Sequence, residues 1–159
     1  MIRVLFVCLG NICRSPMAEG LFRQMLQSRG LDSRIEVDSC GVGDYHAGEP
    51  PDPRAMREAH HRGADISELR GRVIRLNDFE QFDYILCMDE DNLQALRRMA
   101  PETRRAHVGL LMDFADEGTG AEIGDPYFGS TDNFGRVADQ IEAGCQGLLE
   151  HIERQEASD

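Results

Sequence analysis

The residues best suited to chemistry lie in the segment from Cys8 to Ser15, CLGNICRS. Five residues separate Cys8 from Arg14, so the backbone between them can curl until successive N–H groups point inward and bind a tetrahedral oxyanion. The guanidinium of Arg14 can then bind two oxygens of that anion. The same positive field should favour the thiolate form of Cys8, which makes the sulfur a nucleophile.

The predicted elements on either side of this segment support an anion-binding loop with a cysteine nucleophile. Residues 2–7, IRVLFV, form a β-branched and apolar run that is typical of a buried strand. A helix is predicted over residues 16–29, with Ser15 as N-cap, Pro16 at the first position and Gly30 beyond its end. The anion site would therefore also receive the positive end of a helix dipole.

Three residues of the segment would help the loop to work. Gly10 and Asn11 tolerate the left-handed backbone that such a loop needs. Ser15 could donate a hydrogen bond to the Cys8 sulfur and ease its departure.

Among the five cysteines only Cys8 has an arginine six residues later. A C-x5-R spacing alone is a weak signal, but its place between a strand and a helix, with serine next, makes it strong.

A proton donor is predicted at Asp125-Pro126-Tyr127, which lies in the glycine-rich stretch GTGAEIGDPYFGS. A cysteine-dependent phosphatase needs an acid to protonate the leaving oxygen, and Asp125 is the best candidate. Asp-Pro also commonly starts a turn, so a purely structural role for Asp125 remains the alternative.

The rest of the chain alternates strands with helices. The predicted strands cover residues 35–39, 83–88 and 107–112, and the predicted helices cover residues 52–63, 92–99 and 133–154. This alternation predicts parallel βαβ units in an open, doubly wound α/β sheet, where ligands bind at the carboxyl ends of the strands. We expect one domain over residues 1–159.

Composition excludes several classes of function. The net charge of −12 argues against a nucleic-acid or anionic-membrane partner, and no apolar run is long enough for membrane insertion. All 17 basic residues are arginine, which excludes a Walker-type loop, a pyridoxal Schiff base and a lysine nucleophile. The histidines show no ligand spacing, so we expect no metal. Five scattered cysteines indicate reduced thiols and a cytoplasmic location.

The sequence resembles the low-molecular-weight protein tyrosine phosphatases along nearly its whole length. The shared stretches are VCLGNICRSPMAE, the VDS strand end, PDPR at 51–54, FDYILCMD at 82–89 and the DPY loop. The resemblance implies a flavodoxin-like fold with a four-stranded parallel sheet and helices on both faces. It also implies hydrolysis of phosphotyrosine in proteins through a phosphocysteine intermediate, without metal or other cofactor.

The resemblance also implies a role for each matching residue. Cys8 would be the nucleophile, Arg14 the phosphate clamp, Ser15 the partner of the thiol and Asp125 the general acid and base. The phosphate-binding loop would comprise Leu9, Gly10, Asn11, Ile12 and Cys13. Asn11 and Ser39 would hold that loop, while Tyr45 and Tyr127 would wall the slot for the phenyl ring.

Three positions depart from the family pattern, and one of them is Cys40, which replaces the usual small alanine. The H-x-A-R stretch of the family matches Leu69-Arg70-Gly71-Arg72, so its histidine is missing. Phe128 stands where many members have a second tyrosine, which leaves Tyr127 as the one tyrosine there that could be phosphorylated.

Other functions remain open at this stage. A thiol-dependent arsenate reductase shares the fold and the loop, but it needs further cysteines to pass the oxidation along. A phosphate- or phosphopeptide-binding module would need neither nucleophile nor acid. We expect a monomer that acts on phosphotyrosine proteins. We also expect Cys13, in the same loop as Cys8, to be the thiol nearest to an oxidised Cys8, although it could simply pack under the loop.

Overall fold

Four parallel strands form one sheet in the order β2-β1-β3-β4. The computed structural model describes residues 1–115, 121–127, 129 and 131–157, and Phe128 lies outside this part of the chain. The strands are β1, β2, β3 and β4, at Ile2–Cys8, Ile35–Gly41, Tyr84–Cys87 and His107–Leu110. β2 is added on one side of β1, whereas β3 and β4 are added on the other side, so the strand order reverses between β1 and β3. Ligands bind at such switch points. Cys8 ends β1 at this place.

Helices cover both faces of the sheet, as predicted. They are α1 (Arg14–Ser28), α2 (Pro53–His61), α3 (Asp78–Gln81), α4 (Glu90–Met99) and α5 (Thr131–Ala157). Alternate residues of a strand face opposite sides, so Val4 and Phe6 pack on the side of α1, α2 and α5, while Leu5 and Val7 pack on the side of α3 and α4. Within the described residues, no helix is long and apolar enough to cross a membrane.

The start of α1 differs from the sequence prediction. The helix begins at Arg14 with Cys13 as N-cap, so the prediction that Ser15 caps it was wrong. The Ser15 hydroxyl instead lies 3.0 Å from the Cys8 sulfur, because the loop turns into the helix early enough to aim this side chain at the strand end. Gly30, with φ of 69°, follows the helix as predicted.

Other helices and strands differ from the sequence prediction in smaller ways. The fourth strand stops at Leu110 and a 3-10 helix follows at Leu111–Phe114. α3 was not predicted, because four residues are too few for a periodic pattern. α4 begins at Glu90 because Asp89 caps it, accepting a hydrogen bond of 2.8 Å from the backbone N–H of Asn92. The predicted apolar face of α5 is buried at Phe134, Val137, Ile141, Cys145, Leu148 and Ile152.

Candidate active site

The loop between β1 and α1 takes its shape from close backbone contacts. Asn11 adopts the left-handed conformation, with φ of 61°. The carbonyl groups of Cys8 and Leu9 accept hydrogen bonds from the N–H groups of Val42 and Gly43, at 2.8 and 3.1 Å. A Cβ on Gly41 would lie 2.9 Å from the Leu9 carbonyl oxygen. The end of β2 can therefore approach the loop this closely only with glycine at this position.

Polar side chains beneath the loop hold Asn11 and connect it to the Cys8 sulfur. Asn11 Nδ2 donates to the Ser15 and Ser39 hydroxyls at 2.8 and 3.1 Å, and Asn11 Oδ1 accepts from the backbone N–H of Arg72 at 3.0 Å. Leu69, at the position of the missing family histidine, packs against the hydrophobic core instead. Asn11 is thus fully held without an imidazole.

Arg14 is the largest charged side chain in the core, with 2% of its surface exposed. Its Nη1 donates to Asp89 Oδ2 at 2.6 Å and to the Ile123 carbonyl at 2.8 Å. Burial alone would lower the pKa of Arg14, but the Cys8 sulfur and the carboxylates of Asp89 and Asp125 raise it above the usual value. Among the described residues, its buried Nε has no acceptor. The Nε–Nη2 edge is therefore the part of the guanidinium suited to bind two oxygens of an anion.

Asp125 starts the Asp-Pro turn, and its carboxylate also lies beside Arg14. Its Oδ1 accepts a hydrogen bond of 3.0 Å from the backbone N–H of Tyr127, which is an Asp-Pro turn. Its Oδ2 lies 3.6 Å from Arg14 Nη2, and 39% of the side chain is exposed. The carboxylate therefore stands at the mouth of the anion site, where it can exchange protons with a bound molecule.

Arg54 holds this Asp125 turn in place from the start of α2. It donates to the carbonyl groups of Tyr127 and Gly129 at 2.7 and 3.1 Å, and Asp52 binds its guanidinium at 2.9 Å. Asp52 in turn donates its backbone N–H to the Ile12 carbonyl at 2.8 Å. The turn and the loop are thus fixed to the same helix end.

The predicted residues converge on one pocket of about 170 Å³. Its lining comprises Cys8, Leu9, Gly10, Ile12, Cys13, Arg14, Tyr45, His46, Asp125 and Tyr127. Three of the predicted residues lie beneath the pocket rather than in its wall: Asn11, Ser15 and Ser39.

Two residues of the site were missed from the sequence. Asp89 belongs to a carboxylate run that we interpreted as the opening of a helix; it does cap α4, and it also binds Arg14. His46 was interpreted as a surface or structural residue, yet its ring lies 6.0 Å from the ring of Tyr127 across the pocket. In the sequence, its position next to Tyr45 was the signal that could have placed His46 in the pocket.

In the resting enzyme the environment of the other thiols favours their protonated form. Burial raises the pKa of Cys13 far above its usual value, and the charges of Asp52 and Cys8 raise it further. Burial also raises the pKa of Cys40 and Cys145 and raises that of Cys87 to about 12. Over residues 1–115, 121–127, 129 and 131–157, no three or more His, Cys, Asp or Glu side chains come together in a way that could hold a metal ion.

The sheet and the site together define a class of protein: a doubly wound α/β chain in which a strand-to-helix loop at the switch point carries a cysteine and an arginine around an anion pocket. Residues 3–158 match the family model of the low molecular weight phosphotyrosine protein phosphatases. The chain belongs to this family, and it is an enzyme of the low molecular weight protein-tyrosine-phosphatase class.

Individual relatives agree with this assignment. The low molecular weight phosphotyrosine protein phosphatase of Schizosaccharomyces pombe is 43% identical over 152 residues, which cover 95% of this chain and 97% of the relative. The low molecular weight protein-tyrosine-phosphatase YfkJ of Bacillus subtilis is 40% identical over 155 residues, or 98% of each chain. The crystal structure of a protein tyrosine phosphatase from Entamoeba histolytica, with Hepes in the active site, superposes with a TM-score of 0.92 at 35% identity, over 98% of this chain and 99% of that one.

The Arg14–Asp89 pair generates a prediction about stability. Asp89→Asn keeps a residue that caps α4 well, but it leaves a buried guanidinium without its carboxylate. Breaking a buried pair in this way costs about 3 kcal/mol. We expect the free energy of unfolding in urea to fall by that amount, and saturating inorganic phosphate to restore more stability to this variant than to the wild type. Asp91→Asn, an exposed change in the same helical turn, is the control. Equal stability of the two variants would contradict the role of Asp89.

Proposed function

We propose that this chain hydrolyses phosphotyrosine in proteins, as a monomeric single domain over residues 1–159, through a phosphocysteine intermediate on Cys8. The observation that carries the proposal is that the Cys8 sulfur, the Arg14 guanidinium and the Asp125 carboxylate line one pocket. The five free cysteines suit a reducing cytoplasm.

In the first half of the cycle, the Cys8 thiolate attacks phosphorus, so that a P–S bond forms as the P–O bond to the phenol breaks. Backbone N–H groups of the loop and the Nε–Nη2 edge of Arg14 stabilise the three equatorial oxygens. Asp125, in its protonated form, gives its proton to the leaving phenolate oxygen. Its partly exposed place beside Arg14 suits this transfer.

In the second half, the Asp125 carboxylate accepts a proton from a water molecule that attacks the phosphocysteine. The P–S bond breaks, inorganic phosphate is released and the thiolate of Cys8 returns. The Ser15 hydroxyl, 3.0 Å from the sulfur, stabilises the departing thiolate. Because the first step needs a thiolate together with a protonated acid, the rate should follow a bell-shaped pH profile.

The walls of the pocket favour an aryl phosphate. Tyr45 is 68% exposed and Leu9 44% exposed, so both offer apolar surface at the rim, and Tyr127 and His46 face each other across the pocket with their rings tilted by 40°. Such a slot encloses a planar ring. The phosphate of a shorter side chain would not reach the loop while its peptide backbone stays outside.

The structure argues against the two alternatives that the sequence left open. An arsenate reductase needs further thiols outside the loop to relay the oxidation, but Cys40, Cys87 and Cys145 are buried and do not line the pocket. A binding module would have no use for a nucleophile beside a proton donor. One turnover assay on an aryl phosphate separates the three functions.

The first functional prediction concerns turnover. The protein should hydrolyse para-nitrophenyl phosphate and phosphotyrosine without added metal and equally well in the presence of a chelator. Cys8→Ser should lower the initial rate by several orders of magnitude, because covalent catalysis is lost. Cys145→Ser, another buried cysteine but in α5, is the matched control and should keep its activity. Near wild-type turnover by Cys8→Ser would refute the mechanism.

The acid is tested by a series of aryl phosphates. Asp125→Asn should slow the hydrolysis of substrates with poor leaving groups by about 10²- to 10⁴-fold. Substrates with good leaving groups should lose much less, since a stable phenolate needs little protonation. A plot of log kcat/KM against leaving-group pKa should therefore be steeper for the variant. An equal loss across the series would show that Asp125 only starts the turn.

Specificity is tested with matched phosphopeptides. Peptides of identical sequence should be cleaved far faster with phosphotyrosine than with phosphoserine, because only the longer side chain reaches the loop. Tyr127→Ala should raise KM for the phosphotyrosine peptide, since it removes one wall of the slot. Comparable kcat/KM values on the two peptides would contradict the slot.

Redox control is tested with peroxide. Oxidation of the Cys8 thiolate gives a sulfenic acid, and attack by Cys13 would form the Cys8–Cys13 disulfide with release of water. The Cys13 side chain lines the same pocket as Cys8. After peroxide and then a thiol reductant, the wild type should recover activity and Cys13→Ser should not, with the linked peptide seen by mass spectrometry before reduction. Equal recovery of the two proteins would mean that Cys13 only packs under the loop.

A further inference from the structure

We propose that Gly71 is a positioning residue for substrate selection: because it has no side chain, the turn that carries Tyr45 and His46 packs directly against it and leaves the slot open to an aryl group. We call residues 44–49 the wall turn. The inference rests on the proposed function, since it concerns the width of the slot that would receive the phenyl ring.

The wall turn is held together by its own hydrogen bonds. The N–H of Ala47 donates to the Asp44 carbonyl at 3.1 Å, and the N–H of Glu49 donates to the His46 carbonyl at 3.0 Å. The imidazole of His46 is tied to the same turn, with its Nδ1 3.0 Å from Glu49 Oε2. The backbone and the ring of His46 therefore move together when the turn is displaced.

Gly71 binds the wall turn with both of its backbone polar groups. Its carbonyl accepts from the N–H of Gly48 at 2.8 Å, and its N–H donates to the Glu49 carbonyl at 2.9 Å. Gly71 is itself buried, and it lies outside the lining of the pocket, to which the turn contributes Tyr45 and His46. Gly71 thus supports the wall turn from the side that faces away from the pocket.

No side chain fits between Gly71 and the wall turn. A Cβ on Gly71 would lie 2.4 Å from the carbonyl oxygen of His46 and 3.2 Å from its carbonyl carbon. These are backbone atoms of a hydrogen-bonded turn, so they cannot rotate aside as the end of a flexible side chain can, and the turn as a whole would have to shift. An alanine at this position would therefore push the wall turn away from Gly71 and toward the pocket.

His46 is the part of the wall turn that such a shift carries into the slot. Its ring packs on the phosphate-binding loop at Gly10, where a Cβ would lie 2.9 Å from the imidazole Cδ2. The centroid of the imidazole is 6.0 Å from that of the Tyr127 ring across the pocket. A shift of His46 toward Tyr127 narrows the slot directly and leaves Cys8 and Arg14, which bind the phosphate, where they are.

A second route leads from Gly71 to the phosphate-binding loop. The next residue, Arg72, donates its backbone N–H to the Asn11 side chain at 3.0 Å. A disturbance passed along this route would change the binding of every anion, whereas a displaced wall turn would affect only ligands that carry a ring. The affinity for inorganic phosphate, which has no ring, therefore distinguishes the two routes.

Three ligands of increasing width test the role of Gly71 without any turnover: inorganic phosphate, benzylphosphonate and naphthylmethylphosphonate, each titrated into the protein by calorimetry. Gly71→Ala should leave Kd for phosphate unchanged and raise Kd for benzylphosphonate about tenfold, the lower end of the range for a changed substrate pocket. Kd for the naphthyl compound should rise by a larger factor, because the wider ring fills more of the slot. In turnover, KM for a phosphotyrosine peptide should rise about tenfold with kcat unchanged, since the reacting groups stay in place.

Two further variants make the test specific. Gly135→Ala adds the same methyl group in α5, where its contact with Glu58 Oε1 at 3.6 Å is an ordinary one, and it should change none of the three affinities. His46→Ala removes the imidazole, so the naphthyl compound should gain affinity relative to the benzyl compound. In the double variant the displaced turn carries no ring into the slot, so the effect of Gly71→Ala on benzylphosphonate should shrink.

The outcomes are distinct. An unchanged Kd for benzylphosphonate in folded Gly71→Ala, or an equal rise in Kd for phosphate, overturns the inference. If Gly71→Ala does not fold, an unchanged ratio of the naphthyl to the benzyl affinity in His46→Ala overturns it alone. Absence of turnover in the wild type would refute the proposed function instead, since the calorimetric titrations do not depend on turnover.

Discussion

The structure depends on one constraint: a guanidinium that stays charged at any accessible pH is buried at the carboxyl end of the sheet. Arg14 must therefore find acceptors inside the protein, and it takes them from Asp89, which follows β3, and from the Ile123 carbonyl. Ile123 is itself tied to the end of β3 by a hydrogen bond from its N–H to the Met88 carbonyl at 2.8 Å. Arg14, Asp89 and Ile123 are distant in sequence, and the hydrogen bonds of the buried guanidinium hold them together at one point.

This constraint explains how a protein with a net charge of −12 can bind a phosphate group. The local field is set by groups within the loop, and the excess of carboxylates elsewhere is largely screened by salt. On the other side of the pocket, the sulfur of Cys8 contacts the Ser15 hydroxyl, which in turn accepts a hydrogen bond from the Asn11 amide. The Arg14 guanidinium thus lies on one side of the site, and the oriented dipoles of Ser15 and Asn11 lie on the other. Fixed groups of this kind can stabilise negative charge on the phosphate oxygens and on the sulfur during the reaction.

The sequence predicted those parts of the fold and site that depend on neighbours along the chain. The strand before Cys8, the loop to Arg14 and the face of α5 are local patterns, and the structure confirms each. The end of α1 at Gly30 was also predicted from one residue. The start of α1 was not, because Ser15 has the side chain of a typical cap, and only the folded loop shows that its hydroxyl bonds to the site instead.

Long-range partners could not be predicted in the same way. Asp89 is 75 residues from Arg14 in sequence, and a carboxylate at the start of a helix has a sufficient local explanation. His46 belongs to a loop with no periodic pattern, and its place in the pocket depends on the turn that carries Tyr127. The Asn11 oxygen accepts from the backbone N–H of Arg72, a contact that no side-chain pattern reveals.

The central claim is that phosphate passes through the sulfur of Cys8, and rapid chemical quench tests it most directly. Wild-type enzyme is mixed with excess para-nitrophenyl phosphate, quenched in acid within the first turnover and digested for peptide mapping by mass spectrometry. The account predicts one phosphoryl group on the peptide that contains Cys8, attached to sulfur, appearing and decaying at rates that match turnover. A phosphoryl group on another residue, or turnover with no phosphorylated peptide even when the acid Asp125 is replaced by Asn, would contradict it.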